Sequence, residues 1–200
     1  IDPMSAATEL TNLLAEIRAC RLCADDLPLG PRPVLRASAT ARLALCSQAP
    51  GTKVHASGRP FTDRSGDRLR EWLAVDSDTF YDQRRIAIVA MGFCYPGVDA
   101  KGGDLPPRPE CRKIWHDRLF QALPQVELVV VIGGHAMAYH LDKRRKPSVR
   151  ETVAAFREYL PRVIPLPHPS WRNNAWLDRN PWFEAELLPV LRQSVHRLIA

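Results

Sequence analysis

Glu127-Leu128-Val129-Val130-Val131-Ile132-Gly133-Gly134 is the stretch that decides the fold. Five apolar residues run without a break and stop at paired glycines. A strand that faced water on one side would alternate apolar with polar residues. An unbroken run predicts a strand covered on both faces, as in a parallel sheet between helices. Three further runs extend the pattern outward. Arg42 to Cys46 (RLALC) ends just before Pro50-Gly51, Arg85 to Met91 (RIAIVAM) is followed by Gly92, and Arg162 to Leu166 leads into Pro167-His168-Pro169. Helical spacing fills the gaps. Leu10, Leu13, Leu14 and Ile17 predict a helix over Thr8 to Cys20, and Leu69, Trp72 and Leu73 predict one over Gly66 to Val75. Further helices are expected over Pro109 to Leu123, from Gly134 through Leu141, over Val149 to Tyr159, and from about Pro181 to Leu198. The expected fold class is α/β, a three-layer α/β/α sandwich around a central, mainly parallel four-stranded sheet.

The chain has 200 residues, 46% of them hydrophobic and 25% charged, which excludes wholesale disorder and fits one domain over residues 5–200. Ile1-Asp2-Pro3 precede Met4 and read as a cloning remnant. The apolar run around Val130 is too short to span a bilayer, so no membrane partner is expected. No basic-then-apolar leader is visible, and a cytoplasmic, monomeric protein is expected. Eighteen prolines against ten glycines cluster between the periodic segments and read as stiff loops. Lys and Arg number 28 against 22 Asp and Glu, a net charge of +6, which points toward a polyanionic partner.

In a parallel sheet, ligands sit outside the carboxyl ends of the strands. Three unusual loops fall there: Ser47–Arg64, Gly92–Glu110 and Pro167–Asn174. They predict one cleft. Five cysteines, at 20, 23, 46, 94 and 111, do not suggest a disulfide framework. Cys20 and Cys23 form Cys-x2-Cys, and sixteen residues separate Cys94 from Cys111. In a reducing compartment a Cys-x2-Cys more often holds a metal or does redox chemistry. Cys46 lies within a strand and reads as core. A thiol redox enzyme using Cys20 and Cys23 is disfavoured, because that pair follows a helix and precedes a Pro-rich loop.

The loops carry three motifs in order: Ser47-Gln48-Ala49-Pro50-Gly51, Gly58-Arg59-Pro60-Phe61, and His168-Pro169-Ser170. The set resembles the active-site motifs of the uracil-DNA glycosylase superfamily, in particular its iron–sulfur branches, families 4 and 5. Phe61-Thr62-Asp63-Arg64-Ser65-Gly66-Asp67 is similar to family 5. The resemblance runs from about Leu13 to Ile199. It implies a DNA glycosylase that hydrolyses the N-glycosidic bond of uracil or a related deaminated base and leaves an abasic site. The alternative is a member of the same superfamily that binds damaged or abasic DNA with little cleavage.

The resemblance also assigns roles. His168 stabilises the departing base, Phe61 stacks on it, and Gln48 with the Ala49 backbone hydrogen-bonds it. Many superfamily members carry a water-positioning carboxylate where Ala49 stands here, and Asp63 is its nearest replacement. The uracil-selective enzymes carry an asparagine where Ala90 stands, so base discrimination is expected to be looser. Lys53, His55, Arg59, Ser170, Arg172 and Asn173 are expected at the DNA backbone, with Arg172 entering the hole left by the flipped base. Cys20, Cys23, Cys94 and Cys111 are the implied ligands of a [4Fe–4S] cluster; tetrahedral zinc accepts the same four thiolates, and buried free cysteines are the third reading. The partner is DNA containing a damaged base.

Overall fold

A computed structural model describes residues 3–200, with side chains from Ala6 onward; Ile1 and Asp2 of the expected cloning remnant lie outside the described residues. Four strands, β1 (Leu43–Cys46), β2 (Ile86–Ile88), β3 (Leu128–Ile132) and β4 (Val163–Leu166), form one sheet in the order β2-β1-β3-β4. Every pairing is parallel: Leu45 faces Ile88 on one side and Val130 on the other, and Val131 faces Pro165. The sheet is buried on both faces, as the unbroken apolar runs require, with Leu43, Leu45, Val130, Ile132 and Ile164 at most 0% exposed.

Helix α1 (Pro3–Arg18) precedes the sheet. Helices α2 (Thr52–Ser57), α3 (Arg64–Leu73) and α4 (Ser77–Tyr81) lie between β1 and β2. Between β2 and β3, α5 (Pro109–Cys111), a π-helical turn over Arg112–His116 and α6 (Asp117–Gln121) form one continuous stretch. Helices α7 (Gly134–His140) and α8 (Val149–Ala154) join β3 to β4. Helix α9 (Asn174–Arg179), a second π turn over Phe183–Leu187, and α10 (Leu188–Ile199) follow β4.

The chain steps from β1 to β2 in one direction and then returns past β1 to β3 and β4. Right-handed crossovers therefore put α3 on one face and α5–α7 on the other. On the first face α10 packs back on α3, with the Trp72 and Phe183 rings 4.9 Å apart. On the second, Arg118 of α6 pairs with Glu16 of α1 at 2.9 Å, and Phe120 meets His140 of α7 at 4.8 Å. The three layers are thus α/β/α, and the direction of travel reverses between β1 and β3. Ligand crevices of open α/β sheets form at such a reversal.

Four local expectations are corrected. The second strand ends at Ile88 rather than Met91, and Arg36 forms an antiparallel bridge with Ile88 at its free edge. Residues beyond it still reach the first loop, through Met91 N–H to Ser47 O at 2.8 Å and Gly92 N–H to Gln48 O at 2.9 Å. The helix expected over Val149 to Tyr159 stops at Ala154 and tightens into a 3₁₀ turn over Phe156–Tyr159. The last helix begins as a π turn, and the first loop contains α2.

Candidate active site and cysteine cavity

The first loop enters the cleft through Gly51, α2 and the Gly58-Arg59-Pro60-Phe61 turn. Phe61 adopts φ +55°, uncommon for a bulky side chain. Its carbonyl is held by Arg70 Nη1 at 3.2 Å and by the Tyr81 hydroxyl at 3.0 Å. Gly66 makes this turn fit, since a Cβ there would stand 1.9 Å from the Phe61 oxygen. The Phe61 ring is buried, edge-on to Phe80 at 5.9 Å, with 8% of the residue still exposed.

Asp63 follows immediately and is the N-cap of α3. Its Oδ1 accepts the Gly66 N–H at 3.1 Å. One carboxylate oxygen thus serves the helix cap, and Oδ2 remains as an acceptor. Gln48 is half-buried and donates from Nε2 to Leu105 O at 3.2 Å, which ties the first loop to the second. Its Oε1 is the acceptor that remains. Ala49 stands half-buried beside it.

The last loop brings His168 to the same place. Burial lowers the pKa of His168, the charges of Asp63 and Asp104 act upward, and Arg172 adds to the lowering. These influences come from the first, second and last loops, so His168 lies where all three converge. Burial keeps its imidazole neutral near neutral pH. Asn173 Nδ2 donates to His168 O at 2.7 Å, so this amide holds the loop in shape. Arg68 of α3 donates to Ser170 O at 3.2 Å and to Asn174 Oδ1 at 2.8 Å, clamping the loop to the first-loop side. Arg172 is exposed, and its neighbour Trp171 is 75% exposed.

The remaining assigned residues lie around this edge. Lys53 is exposed on α2. His55 is half-buried, its Nδ1 has no partner, and its ring is 6.3 Å from Tyr95 of the second loop. The α2 carbonyls of His55 and Ala56 accept from Arg32 Nη1. The Arg59 guanidinium lies 3.5 Å above the Tyr81 ring.

Ala90 is buried, and its carbonyl meets a residue that sequence reasoning missed. His116, fully buried, places Nε2 3.0 Å from Ala90 O and Nδ1 3.2 Å from Cys111 O, while its ring stacks on Phe93 at 5.1 Å. It links the strand behind the cleft to the cysteine-bearing helix. A lone histidine in a helix gives no sequence signal for this. A second omission is Gly133-Gly134-His135. Gly133 has φ +84°, which suits glycine, and this turn closes β3 on the far side of the β1–β3 reversal.

The four assigned cysteines come together at a second place. Cys20, Cys23, Cys94 and Cys111 all line one cavity, whose walls include Ile17, Leu27, Phe93 and Trp115. Burial pushes the Cys94 thiol up and the Cys111 thiol up to about 11. Backbone N–H groups of Arg32 and Phe93 act the other way, favouring thiolate at Cys94 and Cys111. The thiols also act on one another: Cys94 on Cys111, and Cys20 and Cys23 on both. Four sulfurs around one apolar hollow, two with backbone donors, are a donor set that suits an iron–sulfur cluster. The side chains are not drawn into a closed set, for among the described residues no three His, Cys, Asp or Glu side chains stand in a metal-holding arrangement. Cys46 is fully buried in β1 and apart from this group, as expected of a core residue.

Among the described residues no helix is long and apolar enough to cross a membrane. The parallel sheet, the cleft at its carboxyl edge and the three loops that meet at His168 coincide with a match to a family model, the uracil DNA glycosylase superfamily, over residues 36–192, and the chain belongs to that superfamily.

Proposed function

We propose that this protein is a monofunctional DNA glycosylase, acting on uracil or a related deaminated base and leaving an abasic site. The observation that carries this reading is the convergence of the three loops on a half-buried, neutral His168 with Asp63 in its field. The target nucleotide leaves the stack, at a cost of a few kcal/mol, and its base enters the cleft. Phe61 offers the edge of a fixed ring as a packing surface. Gln48, its amide donor already given to Leu105, presents Oε1 as an acceptor, which suits the ring N–H of a deaminated base. With Ala90 offering no amide and its carbonyl facing His116, the pocket does not single out uracil.

Cleavage breaks the bond from the sugar carbon to the base nitrogen, and the electron pair leaves with the base. A neutral imidazole has one N–H to give, and His168 donates it to the anion that develops. Water then adds to the sugar carbon, and the proton it loses neutralises the departed base anion. We assign that water to Asp63 Oδ2, since Oδ1 is engaged in the helix cap. Arg172 fills the hole in the duplex, with the Trp171 ring against the neighbouring bases.

The four cysteines fit a [4Fe–4S] cluster, which when bound supplies a structural clasp and no group for bond cleavage. The cavity they line joins the end of α1 to the second loop, so cluster binding holds the N-terminal helix to the loop that anchors Gln48. The family match begins after Cys20 and Cys23, so this assignment rests on the cavity. A second reading, damaged-DNA binding with little cleavage, is favoured by Ala49 at the carboxylate position and by the capping duty of Asp63.

Two measurements test the proposal. Oligonucleotides carrying uracil, hypoxanthine or xanthine are incubated with excess protein and treated with alkali. Strand scission at a deaminated base is expected, and tight binding without scission at any of them selects the second reading. The purified protein is expected to show a broad absorbance near ~400 nm from its cluster. A colourless protein with no bound iron removes the cluster assignment.

A further inference from the structure

Beside the cleft, on the flank closed by edge strand β2, lies an open-sided hollow of about 560 Å³. Its size is within the range of ligand-binding clefts. Arg36, Arg59, Arg84 and Arg85 line it together with Tyr81, and its carboxylates are Asp78 and Asp82. Four guanidiniums thus face two carboxylates. Asp82 is already taken, by Arg84 at 2.9 Å and Arg85 at 3.5 Å.

Two of the guanidiniums have donors to spare. Arg36 gives Nη2 to Tyr81 O at 2.8 Å, but its Nε is buried and meets no acceptor. Arg59 lies flat on the Tyr81 ring at 3.5 Å. Stacking uses the face of a guanidinium and fixes its plane, while the N–H donors stay in that plane, aimed outward. Among the described residues no side-chain acceptor meets them. Arg84, 78% exposed, stands at the mouth. Preset, in-plane donors of this kind match an anion with several oxygens, and phosphate is the group they suit best.

The hollow is joined to the cleft through shared residues. Tyr81, its wall, donates its hydroxyl to Pro60 O at 2.6 Å and to Phe61 O at 3.0 Å. Arg59 is two residues before Phe61. We propose that this hollow receives a backbone phosphate of the bound DNA strand, close along the strand to the nucleotide whose base enters the cleft. The inference rests on the glycosylase reading and adds to it a second anchor, on the β2 flank. An anchor there holds the strand while one nucleotide rotates out, and phosphate contacts of this type position DNA without reading its sequence.

The test uses Arg84→Gln, Arg59→Gln and the double variant, each checked for an unchanged melting temperature. Binding to an oligonucleotide that carries a non-cleavable abasic analogue is followed by fluorescence anisotropy over a salt series. The double variant is expected to bind about tenfold more weakly at low salt, and the slope of log affinity against log salt is expected to fall by about one. Oligonucleotides truncated next to the analogue, on one side or the other, locate the contact. Truncation on one side should erase the difference between variant and wild type, and truncation on the other should leave it. Unchanged affinity and slope on the long oligonucleotide overturn the proposal. So does a hollow that serves free phosphate: inorganic phosphate would then raise the melting temperature of wild type but not of the variants, with DNA binding unaffected. A wild-type protein that binds no oligonucleotide removes the glycosylase reading itself, whereas equal binding by wild type and variants removes only this site.

Discussion

Asp63 in the cleft and Cys111 in the cavity are both half-buried, and both carry chemistry that the family resemblance singles out. Their surroundings differ. Asp63 spends one oxygen on its own helix, Gln48 spends its amide on Leu105, and Asn173 spends its amide on His168 O. In the cleft, each chemical side chain also shapes the loop it sits on. The cysteine sulfurs make weaker contacts of this kind: Cys23 Sγ meets Glu110 at 3.9 Å and the Arg108 guanidinium, and backbone N–H groups of Arg32 and Phe93 reach Cys94 and Cys111. They also act on one another across the shared cavity. Substitutions in the cleft therefore mix folding with function, while substitutions in the cavity act through whatever the sulfurs hold together.

The largest effect on folding is expected in the cavity. Cys111→Ser should lose the metal and lower the melting temperature by about 10 °C or more, because metal binding is folding free energy and 1 kcal/mol is worth a few degrees in a chain of this size. Cys46→Ala is the control: it should leave the metal content unchanged. Equal metal content in Cys111→Ser and wild type, by iron assay, would break the comparison.

Next comes Gly66→Ala in the cleft. The added Cβ meets the Phe61 carbonyl at 1.9 Å, so the turn that presents Phe61 must move. A loss of about 3 kcal/mol is expected in urea melts. Its absence would mean that the close approach is not needed.

Acid should act through a buried histidine outside the cleft. Among Phe120, Tyr139 and His116, burial brings the His140 pKa down to about 4, and its Nε2 has no partner. An unfolded histidine titrates near ~6.5. Between those values the unfolded chain holds a proton that the native state refuses, so stability falls as pH drops through that window, by up to about 3 kcal/mol. His140→Phe should lessen this slope, the lowered pKa values of His116, His135 and His168 keeping part of it, and an unchanged slope would place the acid sensitivity elsewhere.

The smallest effect separates the two duties of Asp63. Asparagine caps helices as well as aspartate does, so Asp63→Asn should keep stability, whereas Asp63→Ala should lose about 1 kcal/mol. If the carboxylate places water, Asp63→Asn also slows single-turnover cleavage by about 10-fold to 10²-fold. An unchanged rate would leave the cap as its only duty.

The sheet was legible because β3 is apolar at every position, and the cleft because parallel strands bring their following loops to one edge. What was not legible depends on contacts across the fold. Helices α2, α4 and α9 span five or six residues, too few for a 3.6-residue period to register. The free edge of β2 is bridged by Arg36, some fifty residues earlier in the chain. His116 is meaningful only through two carbonyls, one of them 26 residues away. The Phe61 conformation depends on Tyr81, Arg70 and the bare α-carbon of Gly66. The cysteine spacing was readable, but the shared cavity required the fold.

The central claim is that His168 stabilises the departing base in a glycosylase cleft. It is tested most directly by single-turnover cleavage of a deaminated-base oligonucleotide at saturating protein, comparing wild type with His168→Ala. A lost hydrogen bond to a developing anion in a dry site is worth about 3–4 kcal/mol. The account predicts a rate on the order of 10²–10³-fold lower, with binding largely kept, and single-turnover conditions prevent product release from hiding it. Equal rates and equal binding in the two proteins would contradict it.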